Sequence, residues 1–339
     1  MSASVSLTIA FIGLGAMGRH MAANLARAGH VVRGYDTRPD ALADLALPGL
    51  HQSPTLGEAL RGAHAVLTSL PDTPQVEAVL VGPGGAFDHL VDGTLAIDFS
   101  TISPDATRRM AARLAARNIA LLDAPVSGGV KGAEAGTLTL MVGGDADAFS
   151  RARPLLDKLG RTITHFGPSG SGQTVKLCNQ VVCSLHIQAV CEAFALGRAA
   201  GIDLGRLREA LLGGAAASWI LDHHGALILA RDDRPLFKID LQAKDLRLVT
   251  ELAATLHVPL PGLSQVAQLY SSALAHGEGA LGNQSLYRVT IVSPGKPDWA
   301  APALAPALRP PSSIRNAPKS NPVAAARHPT GHPATLPSR

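Results

Sequence analysis

One lysine interrupts an apolar stretch in the second half of the chain. The segment GSGQTVKLCNQ, residues 170–180, leads into residues 173–197, where Lys176 and Glu192 are the only Lys, Arg, Asp or Glu residues. This pattern predicts a helix that is buried around most of its circumference. A lysine is almost never fully buried without a reason, and desolvation lowers the pKa of its ammonium group toward neutral pH. We predict that Lys176 is a general acid or base; the alternative is a lysine that reaches water or pairs with an acid.

Two amide side chains follow this lysine by one helical turn. Asn179 and Gln180 stand three and four residues after Lys176, so they share its face of the predicted helix. An amide both donates and accepts hydrogen bonds. We expect these two side chains to contact Lys176 or a substrate hydroxyl.

The segment LTIAFIGLGAMGRHMAANLARAGHVVRGYD predicts a complete β-α-β unit. A strand from Leu7 to Ile12 precedes a glycine-rich turn, an amphipathic helix continues to Ala28, and a second strand runs from Val31 to Tyr35. In the pattern GxGxxG the first glycine permits a tight turn, the second lets the backbone approach a pyrophosphate, and the third lets helix and strand pack closely. The residues predicted to hold a dinucleotide here are Gly13, Leu14, Gly15, Ala16, Met17 and Gly18.

An acid at the end of the second strand bears on which dinucleotide binds. Asp36 follows Gly18 by 18 residues, where a carboxylate would meet the adenosine ribose hydroxyls. Because a carboxylate repels a 2′-phosphate, Asp36 favours NAD over NADP. NADP remains an alternative cofactor because Arg38, two residues after Asp36, could accommodate a 2′-phosphate.

Strand-like and helix-like runs continue to alternate through the first half of the chain, with a helix predicted at Pro104 to Ala116. This alternation predicts an α/β fold of the Rossmann type, a doubly wound and mostly parallel sheet. The further strands are predicted at Ala65–Leu70, Thr94–Phe99, Ile119–Leu122 and Leu138–Val142.

The residues just after these strands are candidate ligand contacts, because ligands bind outside the carboxyl ends of the strands in such sheets. Leu70, Pro71 and Thr101 are predicted to contact the cofactor. The run DAPVSGG, residues 123–129, ends in a serine and two glycines that expose consecutive backbone N–H groups to an anion. The predicted carboxylate-binding residues are Ser127, Gly128 and Gly129.

After residue 168 the alternation stops, and the pattern predicts an all-α domain built around a long central helix. The further helices are predicted at Leu204–Leu212, Trp219–Ala230, Leu241–Leu256 and Leu263–His276. We therefore predict a dinucleotide-binding domain at residues 1–168 and an all-α substrate and dimerisation domain at 169–293.

Residues 294–339 have a different composition. They hold 11 of the 24 prolines and contribute a charge of +5, whereas the whole chain carries +4. A Pro- and Ala-rich segment of this kind cannot bury enough apolar surface to offset its ordering entropy, so we predict a disordered basic tail; the alternative is a basic docking arm. Because the basic charge belongs to this tail, no nucleic-acid partner is expected.

The remaining composition excludes other classes. No apolar run has the roughly 18 residues of a membrane span and no leader pattern is present, so we expect a cytoplasmic protein without a membrane partner. The three cysteines Cys178, Cys183 and Cys191 have no metal-ligand spacing. His223, His224 and the other histidines also lack such spacing, and no metal is expected.

Five segments together resemble the β-hydroxyacid dehydrogenase family, over roughly residues 7–292. The family includes 3-hydroxyisobutyrate dehydrogenase, 2-hydroxy-3-oxopropionate (tartronate semialdehyde) reductase and, more distantly, 6-phosphogluconate dehydrogenase. The segments are GLGAMGRHMAANL, DFSTISP, DAPVSGGVKGAEAGTLTLMVGG, GSGQTVKLCNQ and KIDLQAKDLRL.

The resemblance implies a role for each matching position. Lys176 matches the catalytic lysine, which exchanges a proton with the substrate hydroxyl, and Ser127 with the two glycines after it matches the carboxylate-binding segment. Thr101 and Lys244 match positions that contact the cofactor near its nicotinamide. The family often has two asparagines after the lysine; the pair here, Asn179 and Gln180, also occurs in some semialdehyde reductases and favours them. The segment GNQSLY departs from the aspartate and serine that the family commonly has there, so no substrate contact is predicted from it.

The predicted function is reversible hydride transfer between NAD, or NADP, and a small 3-hydroxy acid or its semialdehyde. Dehydrogenases of the threonate or 4-hydroxybutyrate type are alternatives within the same chemistry. An imine reductase or a noncatalytic dinucleotide-fold reader are alternatives of another class, but neither would be expected to keep Lys176. A homodimer or homotetramer through the helical domain is expected; the alternative is a self-sufficient helical bundle.

Overall fold

The computed structural model describes residues 6–290, and the tail predicted at 294–339 lies outside the described residues. Within the described part the strands are β1 (Thr8–Ile12), β2 (Val31–Tyr35), β3 (Leu50–Gln52), β4 (Ala65–Thr68), β5 (Leu95–Asp98), β6 (Ala120–Asp123), β7 (Val126–Ser127), β8 (Leu138–Val142) and β9 (Gly160–His165). The helices of the same part are α1 (Gly18–Arg27), α2 (Leu56–Leu60), α3 (Thr73–Val81), α4 (Ala86–His89), α5 (Pro104–Ala115), α6 (Gly129–Ala135), α7 (Ala146–Leu156), α8 (Ser171–Ala199), α9 (Leu204–Leu212), α10 (Trp219–Ala230), α11 (Ile239–Thr255), α12 (Pro261–Ala275) and α13 (Leu286–Thr290).

The first six strands form one parallel sheet in the order β3-β2-β1-β4-β5-β6. Alternate residues of β1 enter two different cores: Ile9 and Phe11 lie in one, and Ala10 and Ile12 lie in the other. Helices cover both faces, which explains why the central strands β1, β4 and β5 are mostly apolar and buried along their length instead of alternating with exposed polar residues. The predicted doubly wound sheet is confirmed.

The strand order reverses between β1 and β4, which are neighbours at the centre of the sheet. In sheets of this kind the crevice outside the carboxyl ends of the strands at such a point is where ligands bind. The loops that follow β1, β4 and β5 therefore meet at the expected place for a ligand.

One strand was predicted correctly but belongs elsewhere. The sequence pattern grouped Leu138–Val142 with the main sheet, whereas β8 lies in a second sheet between β7 and β9. It pairs antiparallel with β7 and parallel with β9. Strand periodicity reports the conformation of a segment and its buried faces, and it does not report the pairing partner.

The second half of the described chain is helical, as predicted. The 29-residue α8 packs against α10, α11, α12 and α13 around a separate apolar core. This core includes Leu177, Phe194, Leu246, Val266 and Tyr270, each at most 1% exposed. By length and composition α8 could cross a membrane, and the core helix of a soluble protein has the same properties. Its contacts with four surrounding helices make it the core helix of this half.

The amino terminus of α8 is fastened to the sheet by two buried side chains. Asp123, at the end of β6, accepts hydrogen bonds from the backbone N–H groups of Gly170 and Gln173, both at 2.8 Å. The Gln173 amide donates to Ser100 O at 2.9 Å and accepts from Ile102 N at 3.1 Å. Both side chains are fully buried, so the start of α8 is held against the carboxyl ends of β5 and β6.

A second buried carboxylate lies next to this joint. Asp98, at the end of β5 and 1% exposed, accepts hydrogen bonds through one oxygen from Thr68 Oγ1 and Ser100 N. Burial raises the pKa of Asp98 from 3.8 to about 6, although hydrogen bonds from Ser100 and Thr68 oppose that change. The folded protein therefore holds this proton more tightly than the unfolded chain does.

We expect Asp98 to make stability fall as pH rises. Because its pKa is raised on folding, its contribution is fully present below 3.8 and is lost as pH rises through about 6. Relative to Asp98→Asn, the wild-type free energy of unfolding should fall by about 2 kcal/mol between about pH 4.5 and about pH 7.5. Urea unfolding at the two pH values measures this difference. Asp147→Asn, which alters an exposed carboxylate on α7, is the control and should leave the pH dependence of the wild type unchanged.

Candidate active site

The glycine-rich loop after β1 has the geometry of a phosphate-binding turn. Gly13 has φ +94°, and a Cβ there would lie 2.2 Å from Ser69 O. A Cβ on Gly18 would lie 1.9 Å from Gly13 O, so the third glycine lets α1 start against the turn. A Cβ on Gly15 would meet nothing within 4 Å. The fold therefore requires the first and third glycines, and the second faces open space.

The other residues of this loop divide between the core and the loop surface. The side chain of Leu14 is fully buried in the core, so only its backbone lines the loop. Ala16 is exposed and Met17 is the N-cap of α1. Open space at Gly15 in front of the N-terminus of a helix fits a pyrophosphate, because it lets an anion reach the backbone N–H groups.

Asp36 is held at the end of β2 by the loop and by Arg38. Its carboxylate accepts from Leu14 N at 2.8 Å, from Arg38 N at 2.9 Å and from Arg38 Nε at 3.1 Å. Partial burial raises the pKa of Asp36, but the hydrogen bonds from Arg38 and Leu14 outweigh it and lower the pKa overall. The guanidinium also donates to Leu14 O at 3.1 Å, so both side chains border the glycine-rich loop.

The loops after β4 and β5 reach across to α11. Leu70 N donates to Ser100 Oγ at 2.9 Å, and the exposed Pro71 follows it. Thr101 O accepts a hydrogen bond from Lys244 Nζ at 2.5 Å. The structure thus brings Thr101 and Lys244, 143 residues apart, into direct contact.

A second contact joins α11 to the loop after β4. Asp72, the N-cap of α3, pairs with Arg247 at 2.6 Å, and Arg247 also pairs with Glu251 one turn further along α11. The Arg247 side chain is 48% exposed, so this ion pair lies in contact with water.

The serine and two glycines lie where a short strand becomes a helix. Ser127 ends β7, Gly128 has φ +127° and Gly129, with φ +63°, begins α6. Both angles favour glycine. The first N–H groups of a helix have no partner inside it, so this turn offers donors suited to a carboxylate.

Lys176 is buried at 7% exposure in the second turn of α8, just beyond the joint made by Gln173. Burial lowers the pKa of its ammonium group, the negative charge of Asp245 raises it in part, and Lys244 lowers it further. Within residues 6–290 its Nζ forms no ion pair or hydrogen bond. A buried amine without a fixed partner is suited to exchanging a proton with a ligand.

A polar network surrounds this lysine. Gln180 Nε2 donates to Asp245 Oδ2 at 2.6 Å and to Gln242 Oε1 at 3.3 Å. Asn179 Nδ2 donates to Gln180 Oε1 at 2.8 Å. Asp245 Oδ1 lies 2.7 Å from Lys244 Nζ, the group that contacts Thr101. The network therefore runs from α8 through α11 to the loop after β5.

Sequence reasoning missed three of these residues: Gln173, Gln242 and Asp245, each at most 1% exposed. The available signal was a polar residue at a position that the helical pattern places in the core. Asp245 and Gln242 stand in the quoted segment KIDLQAKDLRL, but only the fold reveals their partner, Gln180.

The segment GNQSLY is buried and mostly structural. Gln284 Nε2 donates to Asp232 O and Arg234 O, and Ser285 Oγ donates to Asp233 Oδ1. Asn283 alone reaches the network, through a 3.4 Å hydrogen bond to Gln242. Across residues 6–290, no group of three or more His, Cys, Asp and Glu side chains is arranged to hold a metal ion.

Known families and relatives match most of this chain. Residues 8–167 match the family described as the NAD binding domain of 6-phosphogluconate dehydrogenase, and residues 170–290 match the family described as NAD-binding of NADP-dependent 3-hydroxyisobutyrate dehydrogenase. The chain is 41% identical to 2-hydroxy-3-oxopropionate reductase of Escherichia coli, over 83% of this chain and 96% of that protein. It is 38% identical to 3-hydroxyisobutyrate dehydrogenase of Pseudomonas aeruginosa, over 83% and 98%.

A solved structure gives the same result. 3-Hydroxyisobutyrate dehydrogenase of Mycobacterium tuberculosis, determined with L-serine, superposes with a TM-score of 0.75 at 34% identity, covering 84% of this chain and 98% of that one. Together with these relatives, the fold and the glycine-rich loop identify an NAD(P)-dependent oxidoreductase that acts on a CH–OH group. The chain belongs to the β-hydroxyacid dehydrogenase family, and the resemblance stated from its five motifs is confirmed.

The glycine geometry separates a cofactor role from a folding role. Gly15→Ala adds a methyl group to open space, so we expect an unchanged melting temperature and dinucleotide binding weakened by at least about tenfold, or about 1.4 kcal/mol. Gly18→Ala forces a methyl group into Gly13 O, so the free energy of unfolding should fall by about 3 kcal/mol. Isothermal titration with NAD and NADP and thermal unfolding measure the two effects. Unchanged dinucleotide affinity in Gly15→Ala would remove this loop from the cofactor site.

Proposed function

We propose that the enzyme reversibly oxidises a small 3-hydroxy acid to its semialdehyde, with Lys176 as the general acid and base. The observation that carries this proposal is a buried lysine, without an ion pair in the described residues, at the joint between the dinucleotide fold and the helical half. Relatives with 38% to 41% identity are named for substrates of this kind. A noncatalytic protein that uses the dinucleotide fold for binding alone would not need a buried amine at position 176.

Separate groups of residues bind the dinucleotide and the substrate carboxylate. The glycine-rich loop and Asp36 hold the dinucleotide, with Thr101 and Lys244 toward its nicotinamide. A dinucleotide held by these residues would supply the hydride acceptor for oxidation and the hydride donor for reduction. Ser127, Gly128 and Gly129 orient the substrate carboxylate, which fixes the reacting carbon.

Lys176 takes the proton of the substrate hydroxyl during oxidation and returns it during reduction. Burial supports this role, because the lowered pKa increases the fraction of neutral amine that can accept a proton. Asn179 binds near the same hydroxyl and is held in place by its hydrogen bond to Gln180. Asp245 limits the fall in the pKa of Lys176. Substrates of the threonate and 4-hydroxybutyrate type would use the same residues.

NAD is the preferred cofactor in this proposal. The Asp36 carboxylate borders the loop that would hold the adenosine side of the dinucleotide, and a carboxylate there hydrogen-bonds a free 2′-hydroxyl and repels a 2′-phosphate. Arg38 is paired with that carboxylate, so its charge is partly neutralised toward a phosphate.

The chain works as a soluble cytoplasmic homo-oligomer, a homodimer or homotetramer, in which residues 1–168 bind the dinucleotide and 169–293 complete the substrate site. Support comes from apolar side chains that α8 leaves on the surface. Val182 is 53% exposed and Leu196 is 74% exposed, which suits a helix that also packs against a partner subunit.

Removing the amine tests the central role. We expect Lys176→Ala to lower turnover by about 10² to 10⁴, the usual reach of a general acid or base, while dinucleotide affinity stays nearly the same. Steady-state assays that follow nicotinamide absorbance with a panel of small hydroxy acids and semialdehydes measure the loss. Lys158→Ala, which removes an exposed lysine, is the control and should keep full activity. Equal turnover in wild type and Lys176→Ala would exclude the lysine from the mechanism.

The cofactor preference has its own test. Asp36→Ala should weaken NAD binding more than NADP binding, because it removes a ribose contact and a repulsion toward phosphate at the same time. Titration of both dinucleotides gives the ratio of the two affinities, with Asp147→Ala as the control. If the variant lost more affinity for NADP than for NAD, the preference would be the reverse of the one proposed.

A further inference from the structure

Asp245 is the fixed end of a chain of side-chain hydrogen bonds that ends beside Lys176. It is fully buried on α11, with one oxygen 2.7 Å from Lys244 Nζ and the other accepting from Gln180 Nε2 at 2.6 Å. Gln180 Oε1 then accepts from Asn179 Nδ2 at 2.8 Å. A buried ion pair is thus connected through two amides to α8, one turn beyond the lysine.

The carboxylate fixes the direction of this chain. A carboxylate that is paired with a lysine accepts hydrogen bonds and has none to donate, so Gln180 must turn its NH₂ group toward Asp245. The oxygen of Gln180 therefore faces Asn179, which must donate a hydrogen bond to it from its own NH₂ group. The second contact of Asn179 Nδ2, to Cys183 Sγ at 3.5 Å, uses the same NH₂ group.

The last side chain in this series of hydrogen bonds, Asn179, is left with an unpaired carbonyl oxygen. Asn179 is partly exposed, and no residue between 6 and 290 donates a hydrogen bond to its Oδ1. The sequence predicted contacts to Lys176 or a substrate hydroxyl from both amides, but Gln180 has both ends of its amide occupied inside the protein. What α8 offers next to Lys176 is an acceptor without a donor.

We propose that Asp245 is a positioning residue that sets this polarity, and that Asn179 Oδ1 accepts a hydrogen bond from a donor on the substrate carbon next to the reacting one. Lys176 and Asn179 share one helix face a turn apart, so a reacting hydroxyl at the lysine can place its neighbour at this oxygen. The site selects a 2,3-dihydroxy acid and its 2-hydroxy semialdehyde over a 2-methyl analogue. This inference rests on the function proposed for the same site.

The chemical difference is large enough to measure. A methyl group at the second carbon cannot donate, so it leaves the carbonyl oxygen of Asn179 desolvated and unpaired. Sites that hydrogen-bond a substrate hydroxyl reject the analogue that lacks it more strongly than apolar pockets distinguish sizes. We expect wild-type kcat/KM for glycerate to exceed that for 3-hydroxyisobutyrate by at least about tenfold.

The experiment measures the ratio of these two kcat/KM values in wild type, Asp245→Asn and Asp240→Asn. The new amide in Asp245→Asn can donate as well as accept. The hydrogen bonds through Gln180 and Asn179 can therefore reverse direction, and Asn179 can present NH₂ instead of oxygen to the substrate. The ratio should fall by about tenfold, or about 1.4 kcal/mol of discrimination. Asp240→Asn alters an exposed carboxylate on the same helix and should keep the wild-type ratio.

The ratio of the two kcat/KM values separates the effect of hydrogen-bond direction at Asn179 from the effect of proton transfer by Lys176. Removing the charge of Asp245 changes the pKa of Lys176, but this affects the reacting hydroxyl of both substrates alike and cancels in the ratio. Gln180→Met, which breaks the chain while leaving Asp245 in place, should lower the ratio in the same way. If Asp245→Asn does not fold, the ratio measured in Gln180→Met still tests the proposal.

The outcomes distinguish this inference from the proposed function. A wild-type enzyme that oxidises both acids with equal kcat/KM, or a ratio unchanged in Asp245→Asn and Gln180→Met, would overturn the role of Asp245 and leave the dehydrogenase intact. A wild-type enzyme without activity on any hydroxy acid or semialdehyde would instead overturn the function on which this inference depends.

Discussion

The position of Lys176 depends on how the first turn of α8 is fastened to the sheet. The carboxylate of Asp123 accepts from Gly170 N and Gln173 N, where the N–H groups of a helix start would otherwise lack partners. Gly172 lets this turn come close, because a Cβ there would lie 2.2 Å from Met141 O. Three residues after Gln173, Lys176 is therefore held where the two halves of the chain meet.

Gln173 and Gln180 are buried near this joint with their side-chain amides hydrogen-bonded. Gln173 uses both ends of its amide on the loop after β5, and Gln180 uses both ends of its amide within the network around Asp245. A buried polar group without a partner would cost about 1–3 kcal/mol. Lys176 Nζ is different, since within the described residues it has no hydrogen bond to hold it. The hydrogen-bonded amides of Gln173 and Gln180 thus flank an amine that is free to react.

The sequence was sufficient for much of this architecture. The strands Val31–Tyr35 and Leu138–Val142 and the helices Leu204–Leu212 and Trp219–Ala230 have the predicted bounds, because each has a clear period and clear ends. The three-residue β3 is too short to show a period. Lys176 and the glycine-rich loop stood out because their residue types conflict with their local patterns. The roles of Gln173 and Asp245 did not stand out, since the hydrogen-bond partners of their side chains lie 65 or more residues away and only the folded chain brings them together.

The contacts between the two halves are unequal in their exposure to water. On one side are the buried hydrogen bonds of Asp123 and Gln173, and on the other is the exposed ion pair of Asp72 with Arg247. Exposed ion pairs are worth about 0–1 kcal/mol, because water replaces them easily, whereas breaking the buried contacts exposes unpaired groups. Breaking the Asp72–Arg247 pair therefore costs less than separating the start of α8 from the sheet, and the contact that is more expensive to break is the one that holds Lys176 in place.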